Sequence, residues 1–500
     1  MGPATSPGTG VPDSVGAVSV GDGGNGAGPG GLGAAGGDAV GIRDGGRGSR
    51  ALLIAGAVVA AIAAVAYLVA LATHPMATNL NGFDLQVYLG GAHEALHKPL
   101  NLYGWHYRND LGIQFTYTPF AALLFAGGLA LPFKALMALV SLVSVFALAA
   151  TVWIAFRELG WRSLASRAGG TLLVTGLVFW TEPVQREVYL GQVELVLMGL
   201  VVWDMCQPDR RRWKGAGVGL AAGIKLVPAL FIVYLLLTRR FRAALVALGS
   251  FLATVVIGFI GLPHPSVTWW LHMYFWQAGR TGFVGDQQNQ SLRGIITRFA
   301  GSVAAGQAPW VVAFLVVAVA GLAAAVVLWN SGRPWGPFAG LMACALTALL
   351  ISPISWDHHW VWIAPGVVVL LDAGVRAASA RAARAWWQGL AGLVLVAYGA
   401  WPDFWWPHAG LLQGGLINYA PAAVFAHGDN PHYPEYHWHG LQLIAGNLYL
   451  LGGVGLFAVT LAVAIWLVRS GGSRLLSVPL LPARAGKRAS GQPQAPGRQR

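Results

Sequence analysis

Polar residues that could do chemistry stand in a loop between two long apolar runs of the sequence. The loop 79–119 contains the acids Asp84 and Glu94, in a chain of which only 10% of the residues are charged. At roughly 40 residues it exceeds the connections, usually under about 15 residues, that merely join two elements. Tyr88 lies between the two acids, in a stretch rich in aromatic residues. The pattern predicts a catalytic loop, although Asp84 alone would equally suit a helix cap or a solvated carboxylate.

Two later loops combine cations, amides and aromatic rings. They contain Arg280, Asp286, Asn289, Gln290 and Arg293 in the loop 263–309, and Asp357, His358 and His359 in the stretch SPISWDHHWVW. Arginine and protonated histidine bind phosphate through charge-assisted hydrogen bonds, and planar aromatic rings stack on sugars. These loops therefore predict a face that binds a sugar and a phosphate together. The alternatives are lipid-headgroup anchoring for the two arginines and an interfacial position for the histidine pair.

Lys225 is the residue least expected from its surroundings, because it interrupts the apolar stretch 216–237. A cation in the middle of a membrane span costs roughly 2.5 kcal/mol or more, so its presence indicates a function. Near the end of a span the same side chain would simply extend to the interface.

No cofactor or metal is expected. His437 and His439 could form a metal pair in the loop 403–445, but the helical spacing of a zinc site is missing. Cys206 and Cys344 lie in or beside apolar runs and form no CxxC pattern. Walker A and GxSxG motifs are also missing, and the acids stand in loops rather than in spans, which argues against a proton-coupled transporter.

Composition places the chain in a membrane. Hydrophobic residues make up 56% of the 500, the mean hydropathy is +0.58, and apolar runs near 20 residues recur. The net charge of +13 collects in the tails and in short basic loops, where it sets orientation rather than binding nucleic acid. We predict a membrane domain over 51–469 between disordered tails, a Gly-rich one at 1–50 and a basic one at 470–500.

The basic loops predict that both chain ends lie in the cytoplasm and that the Asp84 loop lies outside the cell membrane. The apolar stretch 119–157 is broken at Leu131-Pro132, and two topologies remain open for 119–238. If 119–157 crosses twice, Arg210 falls outside; if it crosses once and 216–237 is re-entrant, every basic loop stays inside. Both alternatives agree from Arg239 onward and give 10 to 12 spans in total, so the predicted fold is an all-α polytopic bundle.

Six ordered stretches resemble the family 87 glycosyltransferases, which are actinobacterial polytopic mannosyltransferases of the GT-C fold. The stretches are FDLQVYLGGAHEAL, FTYTPFAALLFAGGLALP, YLGQVELVLMGLVVWD, GLAAGIKLVPALFIVYLLLTRRFRAA, NQSLRG and SPISWDHHWVW. Together they cover about residues 80–375. Glu194 departs from the pattern, because the resemblance leads us to expect Asn at that position.

The resemblance implies transfer of mannose from a polyprenyl-phosphate carrier to a glycolipid or lipoglycan, with α-1,2 linkages typical of the family. It implies that Asp84 is the catalytic residue. In an inverting displacement Asp84 would be the general base that takes the proton of the acceptor hydroxyl. The residues expected to hold the donor phosphate are His358, His359, Arg280, Arg293 and Lys225. Those expected to orient the sugars are Tyr88, Glu94, Asn289 and Gln290.

Three rival functions remain open. A sister enzyme would use another polyprenyl-phosphate sugar, such as arabinofuranose, since the phosphate and the polyprenyl tail are shared. A flippase or transporter of a lipid-linked sugar would work without Asp84. A non-catalytic scaffold would leave the ordered motifs without a purpose.

Overall fold

The computed structural model describes residues 46–73, 82–107, 113–377, 379–399, 434–437, 443–444 and 446–471. Nearly all secondary structure in these ranges is helical, and the fold is that of an all-α polytopic membrane protein, as predicted. The tails 1–45 and 472–500 and most of the loop 403–445, including His439 of the possible metal pair, lie outside the described residues.

The elements follow one another along the chain without a second domain in the described ranges. In order they are α1 (Arg47–Thr73), α2 (Phe83–His97), β1 (His106–Tyr107), β2 (Ile113–Gln114), α3 (Pro119–Ala126), α4 (Phe133–Glu158), α5 (Leu164–Phe179), α6 (Glu182–Leu190), α7 (Glu194–Met205), α8 (Ala216–Ile224), α9 (Leu230–Leu237), α10 (Phe241–Gly261), α11 (Pro263–Ser266), α12 (Leu292–Ala300), α13 (Val303–Trp329), α14 (Gly336–Ile351), α15 (Ile363–Arg376), α16 (Arg381–Gly399) and α17 (Leu448–Arg469). The two strands pair antiparallel, with His106 opposite Gln114. Single turns of 3₁₀-helix occur at Pro99–Asn101, Gly127–Ala130, Val227–Ala229, Tyr274–Trp276, Ala278–Thr281, Asp357–Trp362 and Pro434–His437, and a π-turn at Val267–Leu271.

Six helical segments of the described chain are long and apolar enough to cross a membrane. They are α1, α4, α10, α13, α17 and the segment Asp357–Arg376 that ends in α15. The pair α6 and α7 would be a seventh if it forms one broken span; it is bent by 113° at its break, and four shorter apolar helices accompany these. The predicted total of 10 to 12 crossings stays a prediction.

The stretch 119–158 contains one helix long enough to cross a membrane. Pro132 separates the short apolar piece Pro119–Ala130 from α4, as the sequence predicted. Twelve helical residues rise about 18 Å, well short of a hydrocarbon core of about 30 Å, whereas the 26 residues of α4 rise about 39 Å. Of the two alternatives, the structure favours one span plus a short apolar piece.

The stretch 216–237 forms a helical hairpin, as the re-entrant alternative expects. Its start and end lie together, because Nε of Arg240, just after α9, is 2.8 Å from Oδ1 of Asp209, just before α8. Between the two helices Lys225 is extended, with φ −139° and ψ 131°, and the chain reverses there. This hairpin of α8 and α9 therefore enters and leaves the bundle on one face.

We call this face the basic face and define it by Arg157, Asp209, Lys214, Arg240 and Arg376. At the basic face, the buried carboxylate of Asp204 at the end of α7 binds the start of the hairpin. Oδ1 of Asp204 accepts from N of Gly215 at 2.9 Å, and Oδ2 accepts from N of Val218 at 3.0 Å. Gly215 has φ 106°, a conformation that favours glycine, and this turn starts α8 antiparallel to α7.

Candidate active site

Asp84 lies in the first turn of α2, at the end of the bundle opposite the basic face. The helix begins after Gly82, whose φ of 56° is left-handed and whose N–H donates to the carbonyl of Tyr189 at 2.9 Å. This bond fixes the start of α2 against the end of α6. Asp84 is half-buried, and the dipole at a helix N-terminus stabilises its negative charge.

Gln192 holds the Asp84 carboxylate. Its Nε2 donates to Oδ2 of Asp84 at 2.7 Å. Its Oε1 accepts from the hydroxyl of Tyr117 at 3.2 Å and from that of Tyr88, and the two hydroxyls are 2.8 Å apart. Burial raises the pKa of Tyr117 to about 12, so this hydroxyl keeps its proton and remains a donor. The two phenols thereby fix which end of the Gln192 amide faces Asp84.

The position of Gln192 follows from the bend between α6 and α7. Gly191 ends α6 with φ 70°, and a Cβ built on it would lie 2.9 Å from Cβ of Leu85. Glycine is therefore required both for the left-handed turn and for the close approach of α2. The bend places Gln192 beneath Asp84 and starts α7 at Glu194.

Lys225 lies at the tip of the re-entrant hairpin, beside the same site. Its ammonium pairs with the carboxylate of Glu194, and Nζ donates to Nε2 of His359 at 3.0 Å. Nε2 of His359 is also 3.6 Å from Oε1 of Glu194. The ammonium stands 5.6 Å from the centre of the Tyr117 ring. The residue that departs from the expected motif, Glu194, is thus the partner of the Lys225 cation, and it lies beside His359, whose ring is neutral when its Nε2 accepts from the ammonium.

His358 is fixed by the acid before it. Its Nδ1 is 3.1 Å from Oδ1 of Asp357, and Oδ2 of Asp357 lies 3.4 Å from Nε of Arg186. Nε2 of His358 is buried and has no hydrogen-bond partner among the described residues. When both ring nitrogens carry protons, Nε2–H is a donor that is available to a ligand anion.

The positive charges of Lys225 and Arg186, and that of His358 when it is protonated, act on the carboxylate of Asp84. Burial raises the pKa of Asp84 above its ordinary value, although His358, the Gln192 amide, Arg186 and Lys225 act in the opposite direction. A carboxylate with a raised pKa is a better proton acceptor than an ordinary one, provided that it is ionised. The arrangement combines one base with several phosphate-binding groups, and it suits a transfer reaction that releases a phosphate.

Comparison with known proteins assigns this chain to a family. A model of glycosyltransferase family 87 matches residues 115–353. A Mycobacterium tuberculosis (strain CDC 1551 / Oshkosh) protein is 32% identical over 382 residues, which cover 75% of this chain and 81% of that protein. The chain belongs to glycosyltransferase family 87. It is therefore a glycosyltransferase.

That relative is named polyprenol-phosphate-mannose-dependent alpha-(1-2)-phosphatidylinositol pentamannoside mannosyltransferase. A protein of the same name from Mycolicibacterium smegmatis is 33% identical over 390 residues, 76% of this chain and 87% of its own. A third, from M. tuberculosis (strain ATCC 25618 / H37Rv), is a phosphatidylinositol mannoside mannosyltransferase of the same donor type, 30% identical over 374 residues, 67% of this chain and 84% of its own. No solved structure matches the chain.

The family match includes Gln192, Glu194 and Lys225, whereas Asp84 and His358 lie outside its limits. The structure brings these five residues to one site, although they come from four separate stretches of the chain. Tyr88 belongs to the same site through its bond to Gln192.

The two predicted arginines lie at different places in this glycosyltransferase. Arg280 connects the loop 263–309 to the loop 79–119. Its Nη2 donates to the carbonyl of Tyr103 at 2.6 Å, and its guanidinium lies 3.7 Å from the centre of the Tyr274 ring. Arg293 lies on α12, where it donates to Gln307 at 3.2 Å and stacks on Trp310. Among the described residues, neither arginine forms a hydrogen bond or an ion pair with Asp84, Gln192 or Lys225.

Asn289 and Gln290 are fully buried, and their amides bond to loop backbone. Nδ2 of Asn289 donates to the carbonyl of Val284 at 2.8 Å, and its Oδ1 accepts from N of Ser355 at 3.0 Å. Nε2 of Gln290 donates to the carbonyl of Gly446 at 2.9 Å. Both residues therefore connect the loop 263–309 to the neighbouring backbone, Asn289 at Ser355 and Gln290 at Gly446.

Glu94 is distant from the other acid. It lies ten residues after Asp84 on the same helix, a rise of about 15 Å. It is buried, and its Oε2 accepts from Nδ2 of Asn101 at 3.4 Å. The two acids of the first loop therefore do not form a carboxylate pair.

Sequence reasoning missed Gln192 and Arg186 as members of the site. Gln192 lies within one of the stretches that resemble the family, but no role was predicted for it. Arg186 lies in the polar stretch TEPVQREV between two apolar runs, and no role was predicted for that stretch. The high polarity of that stretch beside two apolar runs was the available signal. Within the described ranges, no group of three His, Cys, Asp or Glu could hold a metal ion.

Proposed function

We propose that the protein transfers mannose from a polyprenol-phosphate-mannose donor to a phosphatidylinositol mannoside, forming an α-1,2 linkage. The three relatives whose names state such an activity match this chain over 81% to 87% of their own length. The observation that carries the proposal is the half-buried Asp84 carboxylate, oriented by Gln192 and faced by Lys225 and His358.

In the proposed reaction the hydroxyl oxygen of the acceptor attacks the anomeric carbon of mannose. The bond from that carbon to the phosphate oxygen breaks, and the electron pair leaves with the polyprenyl phosphate. Asp84 takes the proton of the attacking hydroxyl. A β-linked donor gives an α-linked product, because a single displacement inverts the anomeric centre.

The leaving phosphate gains negative charge, so it needs cations rather than a proton donor. We assign this task to His358, through its unpartnered Nε2, and to Lys225. Arg186 keeps Asp357 in place and so orients His358. These groups are fixed before the reaction begins, and pre-arranged charge of this kind is a large source of rate acceleration. No metal is needed in this scheme.

We further propose that the basic face lies in the cytoplasm and the Asp84 site toward the outside of the cell membrane. Arg157, Lys214, Arg240 and Arg376 lie on one face, as the positive-inside rule expects for cytoplasmic loops. The 12 residues of α7 join that face to the site, a rise of about 18 Å. The site would then lie below the outer surface of the membrane, within reach of a lipid phosphate.

The test is a transfer assay in membranes with radiolabelled polyprenyl-phosphate mannose and a set of mannosylated phosphatidylinositols, comparing the wild type with Asp84→Asn. We expect label in a lipid product that depends on Asp84. Transfer by Asp84→Asn at the wild-type rate would remove Asp84 from the mechanism. If the enzyme transferred arabinofuranose from its polyprenyl-phosphate carrier but did not transfer mannose, the donor would be polyprenyl-phosphate arabinofuranose. Movement of the lipid-linked sugar without transfer would indicate a flippase.

A further inference from the structure

A second polar cavity lies at the opposite end of the bundle from Asp84. It has a volume of about 530 Å³ and lies between the ends of α4, α7 and α13 and the start of α14 on the basic face. Ligand sites in proteins commonly have about 300–1,000 Å³, so the cavity is large enough for a small headgroup. The glycosyltransfer proposed above does not use it.

The lining carries more cationic than anionic groups. The cations are Arg157, Lys214 and Arg240, and the acids are Glu158 and Asp209. Arg157 pairs with Glu158, its Nη2 lying 2.8 Å from Oε1 of the acid. Lys214 and Arg240 both bond to Asp209, each at 2.8 Å. Although burial acts in the opposite direction, these bonds lower the pKa of Asp209 to about 2, so it is fully ionised at neutral pH. One carboxylate shared by two cations leaves a positive charge for a ligand.

Arg240 has a vacant donor. Its guanidinium lies 3.3 Å from the centre of the Trp329 ring, and its Nε is occupied by Asp209. Its Nη1 is buried and has no hydrogen-bond partner in the part of the chain that the structure describes. A buried, unpaired N–H of an arginine is costly, and a phosphate oxygen is the acceptor that fits its geometry best.

The start of α14 adds to the positive potential. Pro337 and Phe338, in its first turn, line the cavity, and the helix has no side-chain cap at its N-terminus. The N-terminus of a 16-residue helix carries a partial positive charge that attracts phosphate groups. It points to the same ligand as Arg240.

The rest of the lining is apolar. Met205, Trp329, Phe338 and Leu341 form this part of the wall. A small hydrophilic anion would leave these side chains unused, whereas a phospholipid offers both a phosphate and an apolar body. Basic pockets between membrane helices on the cytoplasmic side commonly bind anionic headgroups.

We propose that this cavity, which we call the basic-face cavity, binds the phosphate of an anionic phospholipid from the adjacent leaflet. The proposal does not depend on which sugar donor the enzyme uses. Arg240 and Arg157 contact the phosphate, the start of α14 faces it, and the apolar wall receives the glycerol and the first methylene groups.

The test is native mass spectrometry of the full chain, purified and exchanged into mixed micelles with equal phosphatidylglycerol and phosphatidylcholine. We expect selective retention of phosphatidylglycerol. Arg240→Gln should weaken it by about 10-fold, the effect of losing one charge-assisted hydrogen bond. Arg212→Gln is the matched control, because Arg212 is exposed on the same face and does not line the cavity; it should retain lipid as the wild type does.

Two further arms separate the possible outcomes. Glu158→Gln removes a negative charge from the lining and should strengthen retention, a result that a fold defect would not produce. Inorganic phosphate at millimolar concentration should not displace the lipid. Equal retention in Arg240→Gln and wild type would overturn the proposal, and so would complete displacement by inorganic phosphate, which would assign the cavity to a free anion.

Discussion

The amide of Gln192 donates to Asp84 while its oxygen accepts from Tyr117. A residue at the bend between α6 and α7 therefore fixes a carboxylate on α2. An amide is suited to this task, because its donor and its acceptor lie at opposite sides of one rigid group. The tyrosines occupy the acceptor side, so the donor side must face Asp84.

Replacement of Gln192 should lower turnover. In Gln192→Met the side chain keeps its length but loses both hydrogen bonds, so the carboxylate of Asp84 is no longer oriented. We expect kcat for sugar transfer to fall by about 10- to 100-fold, the usual cost of a misplaced catalytic group. The donor KM should change little. Gln307→Met, on α13 and away from the site, is the control, and equal rates in both variants would contradict a positioning role.

Neutralisation of Glu194 should tighten donor binding. In wild type the Glu194 carboxylate competes with the donor phosphate for Lys225. Glu194→Gln removes this competition but still accepts a bond from the ammonium. We expect donor KM to fall about fivefold, equivalent to about 1 kcal/mol, with stronger inhibition by the polyprenyl phosphate product. Glu158→Gln, on the basic face, should leave both constants unchanged, and a rise in donor KM of Glu194→Gln would disprove the competition.

The pH profile of transfer should report on Asp84. Because burial raises its pKa, the base becomes protonated at a higher pH than an ordinary aspartate. Activity is therefore present above this raised pKa and is lost as the pH falls through it. The measurement is kcat/KM against pH. A profile that is flat down to the ordinary aspartate range of about 4 would show that Asp84 is not the base.

Asp286 should make stability depend on pH. Burial, together with the negative charges of Glu435 and Asp357, raises its pKa to about 7, although the N–H of Gln288 and the charge of Arg298 act in the opposite direction. The folded state holds a proton that the unfolded chain loses near pH 4, so stability is highest at low pH and declines as the pH rises to about 7. We expect the melting temperature to fall between pH 5 and pH 8, and to fall less in Asp286→Asn.

Asp209→Asn is the matched control for that measurement. Its pKa of about 2 places its titration below this pH range. Its melting temperature should therefore change with pH as the wild type does. If Asp286→Asn kept the full wild-type decline, the loop around Asp286 would not be its source.

Much of this architecture follows from composition. Apolar length, basic loops and the break at Pro132 predicted the polytopic helical fold, because the thickness of a bilayer fixes the length of an apolar helix. Lys225 was predicted because a charge within an apolar run is costly, whereas Asp84 and the histidine pair were predicted as polar loop residues among aromatic rings and from the family resemblance. The structure places these residues together, and their catalytic roles stay predictions.

The remainder depended on tertiary contacts. Nothing local shows that the chain bends by 113° before Glu194, so the sequence did not reveal that Gln192 would lie against Asp84. Asn289 and Gln290 were expected to bind sugar because amides can, but residue type does not reveal whether an amide meets a ligand or the backbone. Their bonds to Val284 and Gly446 became visible only when the loops were in place.

The re-entrant hairpin also bears on how the protein is made. Both ends of 216–237 lie on one face, so its insertion moves no hydrophilic loop across the bilayer. The first helix of the hairpin packs against both α7 and α10, and α10 follows the hairpin in the chain. We therefore expect the proposed site to be completed late in biosynthesis, and a chain that ends before α10 to be inactive.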